Sequence, residues 1–293
     1  MLDVRRTLGR SVEMAATVIA FLAIAAVLAF VRGRGLLPAA AASGLDPADR
    51  LGNAAAALEL VTTKTGAGYT FEILQRSTIH ARPGGPQIEI PDPTDRYKSL
   101  GFADAYEVGA LIERGAVTPD GFTMEMRTGP APGKAADWKA AYQFGVISTG
   151  GKTFRDDGVG WYATASPPGI GLDPRTATLL PGLLRNVTNP ADAGTKPVDG
   201  ADLAAVTASA KVADIPGVVA ADGASFTELV GPIDFAFDAQ GRLAQVHIVA
   251  RNTNLDVYDL LIDTTIAFAY PDQAAPLPEP VPARPASADA VQK

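Results

Sequence analysis

Cysteine is absent from this chain of 293 residues. Its absence excludes disulfides, thiol catalysis, thiolate metal sites and a lipid-modified cysteine. Histidine occurs only twice, as His80 at the end of a predicted strand and His247 on the polar face of another. The sequence also lacks an HExxH, GxSxG, GxGxxG or P-loop motif. We therefore expect no enzymatic activity, no metal site and no cofactor.

Positive charge is scarce as well. The chain has 25 Lys and Arg against 32 Asp and Glu. The first 34 residues carry five arginines and two acids, so the remaining residues hold a net charge of −10. A domain this acidic is poorly suited to nucleic acid, and we expect no nucleic-acid partner.

One long uncharged run stands near the start of the chain, at Ala15–Val31. With Met14 it has 18 residues, about 27 Å of helix at ~1.5 Å per residue, close to the ~30 Å hydrocarbon core of a bilayer. A cleaved signal peptide is the alternative, since the small residues of Ala39–Ser43 offer a cleavage site. Arg32 and Arg34 directly after the run favour a permanent membrane helix. We expect the N-terminus to be cytoplasmic and the rest of the chain to be extracytoplasmic.

The composition divides the chain into four parts. Residues 1–34 form a cytoplasmic stub with the membrane helix, 35–45 a small-residue linker, and 46–272 the main domain. Residues 273–293 are rich in proline and carry no apolar pattern, so we expect a disordered tail.

Two helices begin with the same signal, an aspartate followed by proline at the first helical position. The first starts at Asp46-Pro47, and its apolar positions follow helical spacing: Leu51, Ala54, Ala55, Leu58 and Val61. The second starts at Asp173-Pro174 and continues through a leucine-rich segment, where Pro181 predicts a kink or a division into two helices. We also predict a helix over Phe102–Arg114.

Most other segments alternate between apolar and polar residues, as strands do. Examples are Tyr69–Ile73, Phe122–Arg127 and the last long strand, which begins at Tyr258. A hairpin is predicted at Ala239–Arg242, and a loop after the second helix extends to Gly194. Because nearly every strand has one apolar face, the sequence predicts an antiparallel sheet that is solvated on one side and covered by two or three helices on the other.

This order of elements resembles the LolA/LppX-like lipid-carrier fold, in particular the actinobacterial cell-envelope lipoproteins of the LppX type. The resemblance covers about residues 46–272 and rests on Gly158–Ala163, Leu172–Val187, Val198–Ala205 and Pro232–Tyr270. It implies an α+β fold, in which a strongly curved antiparallel half-barrel wraps around the helices and acyl chains occupy the space between them.

The sequence departs from that family in three places. It has no lipobox cysteine, so the Ala15–Val31 helix would replace the acyl anchor. The predicted helix over Phe102–Arg114 falls where the family has strands, and the proline-rich tail is an addition.

Two functions remain open at this point. The first is a membrane-anchored protein of the cell envelope that binds lipid or another hydrophobic ligand. The resemblance and the strand faces then place eight residues around an apolar cavity: Leu58, Phe71, Ile73, Met124, Phe144, Leu183, Val246 and Ile248. The second is a non-catalytic accessory subunit or sensor module that binds a membrane-protein partner.

Overall fold

The computed structural model describes residues 45–63, 68–92, 97–129, 142–156, 158, 160–164, 175–211, 227–273, 277 and 279–280. Within them it has two helices, α1 (Pro47–Thr63) and α2 (Arg175–Asn186). The strands are β1 (Tyr69–Ala81), β2 (Ile88–Pro91), β3 (Ser99–Ala103), β4 (Ala105–Thr118), β5 (Gly121–Gly129), β6 (Tyr142–Thr149), β7 (Lys152–Asp156), β8 (Trp161–Thr164), β9 (Thr188–Val198), β10 (Ala201–Ser209), β11 (Glu228–Leu229), β12 (Ile233–Phe237), β13 (Leu243–Asn252) and β14 (Tyr258–Ala269).

The large sheet is antiparallel and open. Its strand order is β8-β7-β6-β5-β4-β1-β14-β13-β12-β10-β9, with β11 paired to β13 and with β2 and β3 forming a separate pair. At ~4.8 Å between strands, eleven strands laid flat would be about 48 Å wide, whereas a helix is only ~10 Å across. Yet residues from β6 to β10 join both helices in one buried cluster. The sheet therefore curves around the helices, as the predicted half-barrel requires.

Helix α1 begins as the sequence predicts. The side chain of Asp46 accepts a hydrogen bond from the backbone N–H of Ala48 at 2.9 Å, and its carbonyl accepts one from Arg50 at 3.0 Å. The buried face of the helix carries small residues, Ala54 and Ala55, which are both fully buried. This face lets α1 pack closely against the rest of the domain.

Helix α2 continues through Pro181, so the predicted division into two helices is wrong. Its apolar face is buried at Leu180, Leu183 and Leu184, and this burial favours one continuous helix over two. An ion pair between Arg185 of α2 and Glu59 of α1, at 2.6 Å, joins the two helices. The predicted start at Asp173-Pro174 lies outside the described residues.

The predicted helix over Phe102–Arg114 is wrong, because this segment belongs to β3 and β4. Local spacing resembled a helix, but β4 pairs with β1 from Ala105 to Val117 and with β5 from Ala110 to Thr118. Such non-local pairing overrides weak local propensity. β4 also contains a bulge at Val108, which interrupts the strand alternation, because Gly109 and Glu107 pair with consecutive residues of β1.

The predicted loop to Gly194 is also wrong. Residues Thr188–Val198 form β9, at the edge of the sheet. Two prolines, Pro190 and Pro197, obscured the strand, but an edge strand tolerates proline because half of its N–H groups need no partner. Asn189, the second residue of β9, adopts the left-handed conformation at φ 52°.

The hairpin between β12 and β13 is confirmed. The side chain of Asp238 accepts hydrogen bonds from the backbone N–H groups of Gln240 at 2.9 Å and Arg242 at 2.8 Å. Gly241 lies at φ 74°, a conformation that favours glycine. The turn thus follows directly from local chemistry.

Among the described residues, no helix has both the length and the apolar character needed to cross a membrane. The Ala15–Val31 run lies outside these residues, as does most of the proline-rich tail. From the tail, Glu279 forms an ion pair with Lys152 at 2.9 Å.

We predict opposite effects for two substitutions on α1. Ala55 has no exposed surface, so Ala55→Leu should overpack the helix–sheet contact and lower the free energy of unfolding by about 1–3 kcal/mol. Gly52 has no atom within 4 Å of the position of an added Cβ. Gly52→Ala should therefore raise that free energy by roughly 0.5–1 kcal/mol. Chemical denaturation of the full chain measures both; an unchanged midpoint for Ala55→Leu would contradict the packing described.

Candidate functional site

A single row of side chains crosses the concave face of the sheet through eight strands. Residues that pair directly across antiparallel strands share a face. The register therefore aligns Phe144, Met126, Glu113, Ile73, Ile266, Val246, Phe235 and Val206. Each is at most 4% exposed. The row forms a continuous wall that faces the helices.

Two further rows extend this wall on either side. One aligns Val146, Met124, Gly115, Phe71 and Phe268. The other aligns Leu111, Gln75, Thr264 and Ile248. From the helices, Leu58 of α1 and Leu183 of α2 join the same buried cluster.

All eight side chains predicted from the sequence lie together in this cluster. They come from four strands and both helices, and their exposed fractions run from 0% for Val246 to 7% for Phe71. The strand faces were therefore assigned correctly. A ligand-binding role for these residues remains a prediction.

Polar groups that sequence reasoning missed are set into the apolar wall. Gln75 donates a hydrogen bond to the Thr264 hydroxyl at 3.3 Å, and both side chains are buried. Glu113 is 1% exposed between Ile73 and Met126. The alternation of Leu111, Glu113, Gly115 and Val117 could have placed this carboxylate, had the segment been identified as a strand.

A fourth polar group, Arg155, stands at the β7 end of the wall. It pairs across the strands with buried Val146, and its guanidinium carbon lies 4.7 Å from the centre of the Phe144 ring. This is a cation–π distance. Within the described part of the chain, its buried Nε atom has no hydrogen-bond partner. A buried donor of this kind is costly and favours a nearby acceptor.

Phe71 owes its position to Gly115 on the neighbouring strand. A Cβ added at Gly115 would lie 2.6 Å from the Phe71 ring and 2.2 Å from the carbonyl oxygen of Thr123. The ring therefore covers a strand position that only glycine leaves open. This contact shapes the wall beside Met124.

Two tyrosines close one end of the interior. Tyr69 packs edge-on against Phe268, with ring centres 5.9 Å apart, and Tyr270 donates its hydroxyl hydrogen to the carbonyl of Leu243 at 2.8 Å. Burial raises the pKa of both tyrosines above the ordinary value. They remain neutral at physiological pH and seal the end where β14 finishes.

A second polar site lies on the outer face of the sheet, around His247. Its Nε2 lies 3.0 Å from Asp263, and its Nδ1 lies 3.6 Å from Asp234, which also pairs with Lys196. The hydrogen bond with Asp263 raises the pKa of His247 above its ordinary value of 6.5, against partial burial, and Asp234 adds to the rise. Lys196, Asp234 and His247 line a shallow depression of about 350 Å³. The predicted placement on the polar face is confirmed.

His80 lies one residue before the end of β1, as predicted, with Asp259 as its neighbour on β14. Over the described ranges, no group of three or more His, Asp and Glu side chains is arranged to hold a metal ion.

Comparison with known proteins gives a likeness of fold. No family model matches the chain, and no curated protein sequence matches it. Among solved structures it is similar to LprF from Mycobacterium bovis, with 14% identity over 80% of this chain and 96% of that one and a TM-score of 0.42. Similar too is the lipoprotein LppX from Mycobacterium tuberculosis, with 12% identity over 79% and 98% and a TM-score of 0.40.

A LolA superfamily protein from Nitrosomonas europaea matches more distantly, with 9% identity over 75% of this chain and 95% of that one and a TM-score of 0.23. These proteins are of the LolA and LppX kind that the sequence resemblance named. At such identities and TM-scores, no inference about ligand or activity follows from the comparison.

The contact between Phe71 and Gly115 can be tested by adding one methyl group. Gly115→Ala should displace the Phe71 ring and lower the free energy of unfolding by about 1–3 kcal/mol. Gly109→Ala on the same strand is the matched control, because its Cβ would meet only the carbonyl of Gly129, at 3.4 Å. Denaturant titration compares the two; equal stability would contradict this packing.

The His247 contacts predict a pH-dependent contribution to stability. Because the pKa is higher in the folded state, the stabilisation is full below the unfolded-state pKa of about 6.5 and is lost as the pH rises through the folded-state pKa. The stability difference between the natural chain and His247→Gln should therefore be larger near pH 5 than near pH 9. Denaturation at both pH values measures it. Asp263→Asn should flatten the dependence, and a difference independent of pH would refute the assignment.

Proposed function

We propose that residues 46–272 form a non-enzymatic binding domain that holds a lipid or another acyl-chain ligand between the concave sheet face and the two helices. The observation that carries this proposal is the continuous apolar wall. Its central row alone crosses eight strands and is interrupted by a single acid, Glu113. Burial of a ligand there would contribute about 0.8 kcal/mol for each methylene removed from water.

The width of the sheet supports a ligand in addition to the helices. Side by side, α1 and α2 cover roughly 20 Å, less than half of the ~48 Å path along the strands. The small side chains of Ala54 and Ala55 also keep the buried face of α1 shallow. Because the wall side chains are at most 7% exposed, an acyl chain would have to displace the groups that cover the wall beyond the two helices.

The polar groups in the wall favour an amphiphile over a pure hydrocarbon. The guanidinium of Arg155 suits an anionic or carbonyl-bearing head group, because charge-assisted hydrogen bonds are the stronger kind. Gln75 and Thr264 offer further donors and acceptors on the opposite side of the central row. Such groups fix the orientation of a ligand whose affinity comes from its acyl chains.

The same proposal places the domain at a membrane. The Ala15–Val31 helix would anchor it, with the N-terminus in the cytoplasm and the domain on the extracytoplasmic side. A chain fixed in this way would accept and release lipid at its own membrane, in cell-envelope lipid handling, and would not travel between membranes.

An accessory or sensor role with a protein partner is the second candidate. It differs in one respect that can be measured, since it requires no lipid in the interior. A stoichiometric protein partner recovered with lipid-free protein would favour it.

Lipid retention tests the proposal directly. The full chain, purified in mild detergent, should release about one lipid per chain on solvent extraction, measured by mass spectrometry. Val246→Thr keeps the shape of the side chain but places a hydroxyl on the wall, so it should reduce the retained lipid several-fold. Val249→Thr is the matched control on the same strand, because Val249 pairs with Asp263 on the outer face.

Circular dichroism should show both variants folded. Absence of lipid from the natural chain, together with no uptake of added lipid, would refute the proposal. Equal retention by the two variants would refute the assigned location.

A further inference from the structure

One end of the molecule carries large apolar side chains that face solvent. The hairpin of β2 and β3 exposes Tyr97 at 82%, Phe102 at 65% and Leu100 at 64%. The nearby Val108, Leu255 and Val257 are 39–49% exposed. We call this set the apolar end. Together with Leu60 on α1, these are the large exposed hydrophobic side chains of the described residues.

The structure brings these residues to the same end of the sheet. The β2–β3 hairpin follows β1, which finishes at Ala81 beside Tyr258, the first residue of β14. The N–H of Ala81 donates to the carbonyl of Asp104 at 2.8 Å, which ties the base of the hairpin to β1. The next residue, Arg82, donates to the carbonyl of Leu255 at 2.8 Å and bonds the Asp259 carboxylate at 2.8 Å.

The hairpin presents apolar side chains outward. Leu100 and Phe102 of β3 are both exposed, and a shift in register between Ile90 and Pro91 leaves Leu100 without a directly opposite residue. The strand partner of Phe102 is Glu89, while the neighbouring pair joins Ile88 to Ala103. Ile88 is 3% exposed, so that side faces the body of the domain. A hairpin packed on one face ordinarily has a polar outer face, and this one has Leu100 and Phe102.

Charge at the apolar end is mixed and gives no net electrostatic attraction to an anionic surface. Arg82 and Lys98 lie there with Glu89, Asp92 and Asp259. A partner that binds here must therefore gain from apolar contact. Protruding aromatic and leucine side chains on hairpins and turns suit insertion into the interface of a bilayer, where aromatic residues are enriched.

The apolar run at Ala15–Val31 lies close in sequence to the domain, so a bilayer that holds this run is within reach of the domain. Fifteen residues, 32–46, separate Val31 from the first residue of α1. They span at most about 50 Å at ~3.3 Å per residue. A domain anchored through Ala15–Val31 is therefore held permanently beside lipid, at a high effective concentration.

We propose that the apolar end docks on the bilayer surface by inserting Leu100, Phe102 and Tyr97 among lipids, with no requirement for anionic head groups. This inference rests on one part of the proposed function, the membrane anchor at Ala15–Val31. Lipid occupancy of the interior is a separate property, read by solvent extraction. In the docked orientation, the end of the sheet that carries the β2–β3 hairpin would face the bilayer.

The absence of cysteine makes a site-specific test simple. The full chain carrying Leu100→Cys is labelled with an environment-sensitive fluorophore and reconstituted in phosphatidylcholine vesicles that contain nitroxide-labelled lipid. Gln240→Cys is the matched control, in the exposed β12–β13 turn at the opposite end of the sheet. We expect a blue-shifted emission at position 100 and at least two-fold stronger nitroxide quenching there than at position 240.

Equal quenching at the two positions in co-floating vesicles would overturn the proposal. A blue shift that grows with the protein-to-lipid ratio would overturn it in favour of contact between two copies of the chain. A blue shift that requires added anionic lipid would overturn it in favour of electrostatic attraction. Adding Phe102→Ser and Tyr97→Ser to the Leu100→Cys chain should remove the blue shift, and its persistence would equally contradict insertion.

Discussion

Burial of one wide apolar face is the constraint on which this structure depends. Eleven antiparallel strands share a concave surface, and an open sheet cannot leave such a surface in water. Curvature brings strands as distant as β6 and β10 onto the same two helices. The small residues of α1 and the leucines of α2 then determine how closely the two helices pack against the sheet. Stability and any binding activity therefore depend on the same interior.

The polar groups differ between the outer and inner faces of the sheet. The outer face of the sheet is solvated and carries several ion pairs, including the group formed by Lys196, Asp234, His247 and Asp263. The inner face carries a few polar side chains among apolar neighbours: Gln75, Thr264, Glu113 and Arg155. Buried polar groups cost stability unless they are hydrogen-bonded, so their presence in the wall distinguishes it from an ordinary core. We interpret them as the groups that orient an amphiphilic ligand.

The parts of the fold with local signals could be predicted from the sequence. Asp46-Pro47 identified α1, the Ala239–Arg242 turn identified a hairpin, and clean alternation placed the six predicted strand residues on the buried face. The errors occurred where distant pairing decides the conformation. Phe102–Arg114 looks helical until β1 and β5 pair with it, and Thr188–Val198 contains prolines that only an edge strand accepts. Glu113 was missed because its segment was assigned to the wrong element.

The central claim is that acyl chains lie against the concave wall. It is tested most directly by nuclear Overhauser effects between lipid and methyl groups of the full chain in deuterated detergent. We predict effects from acyl methylene protons to the methyl groups of Leu58, Ile73 and Val246, and none to Val249 on the outer face. Interior methyl groups that contact only one another, in protein supplied with lipid, would contradict the account.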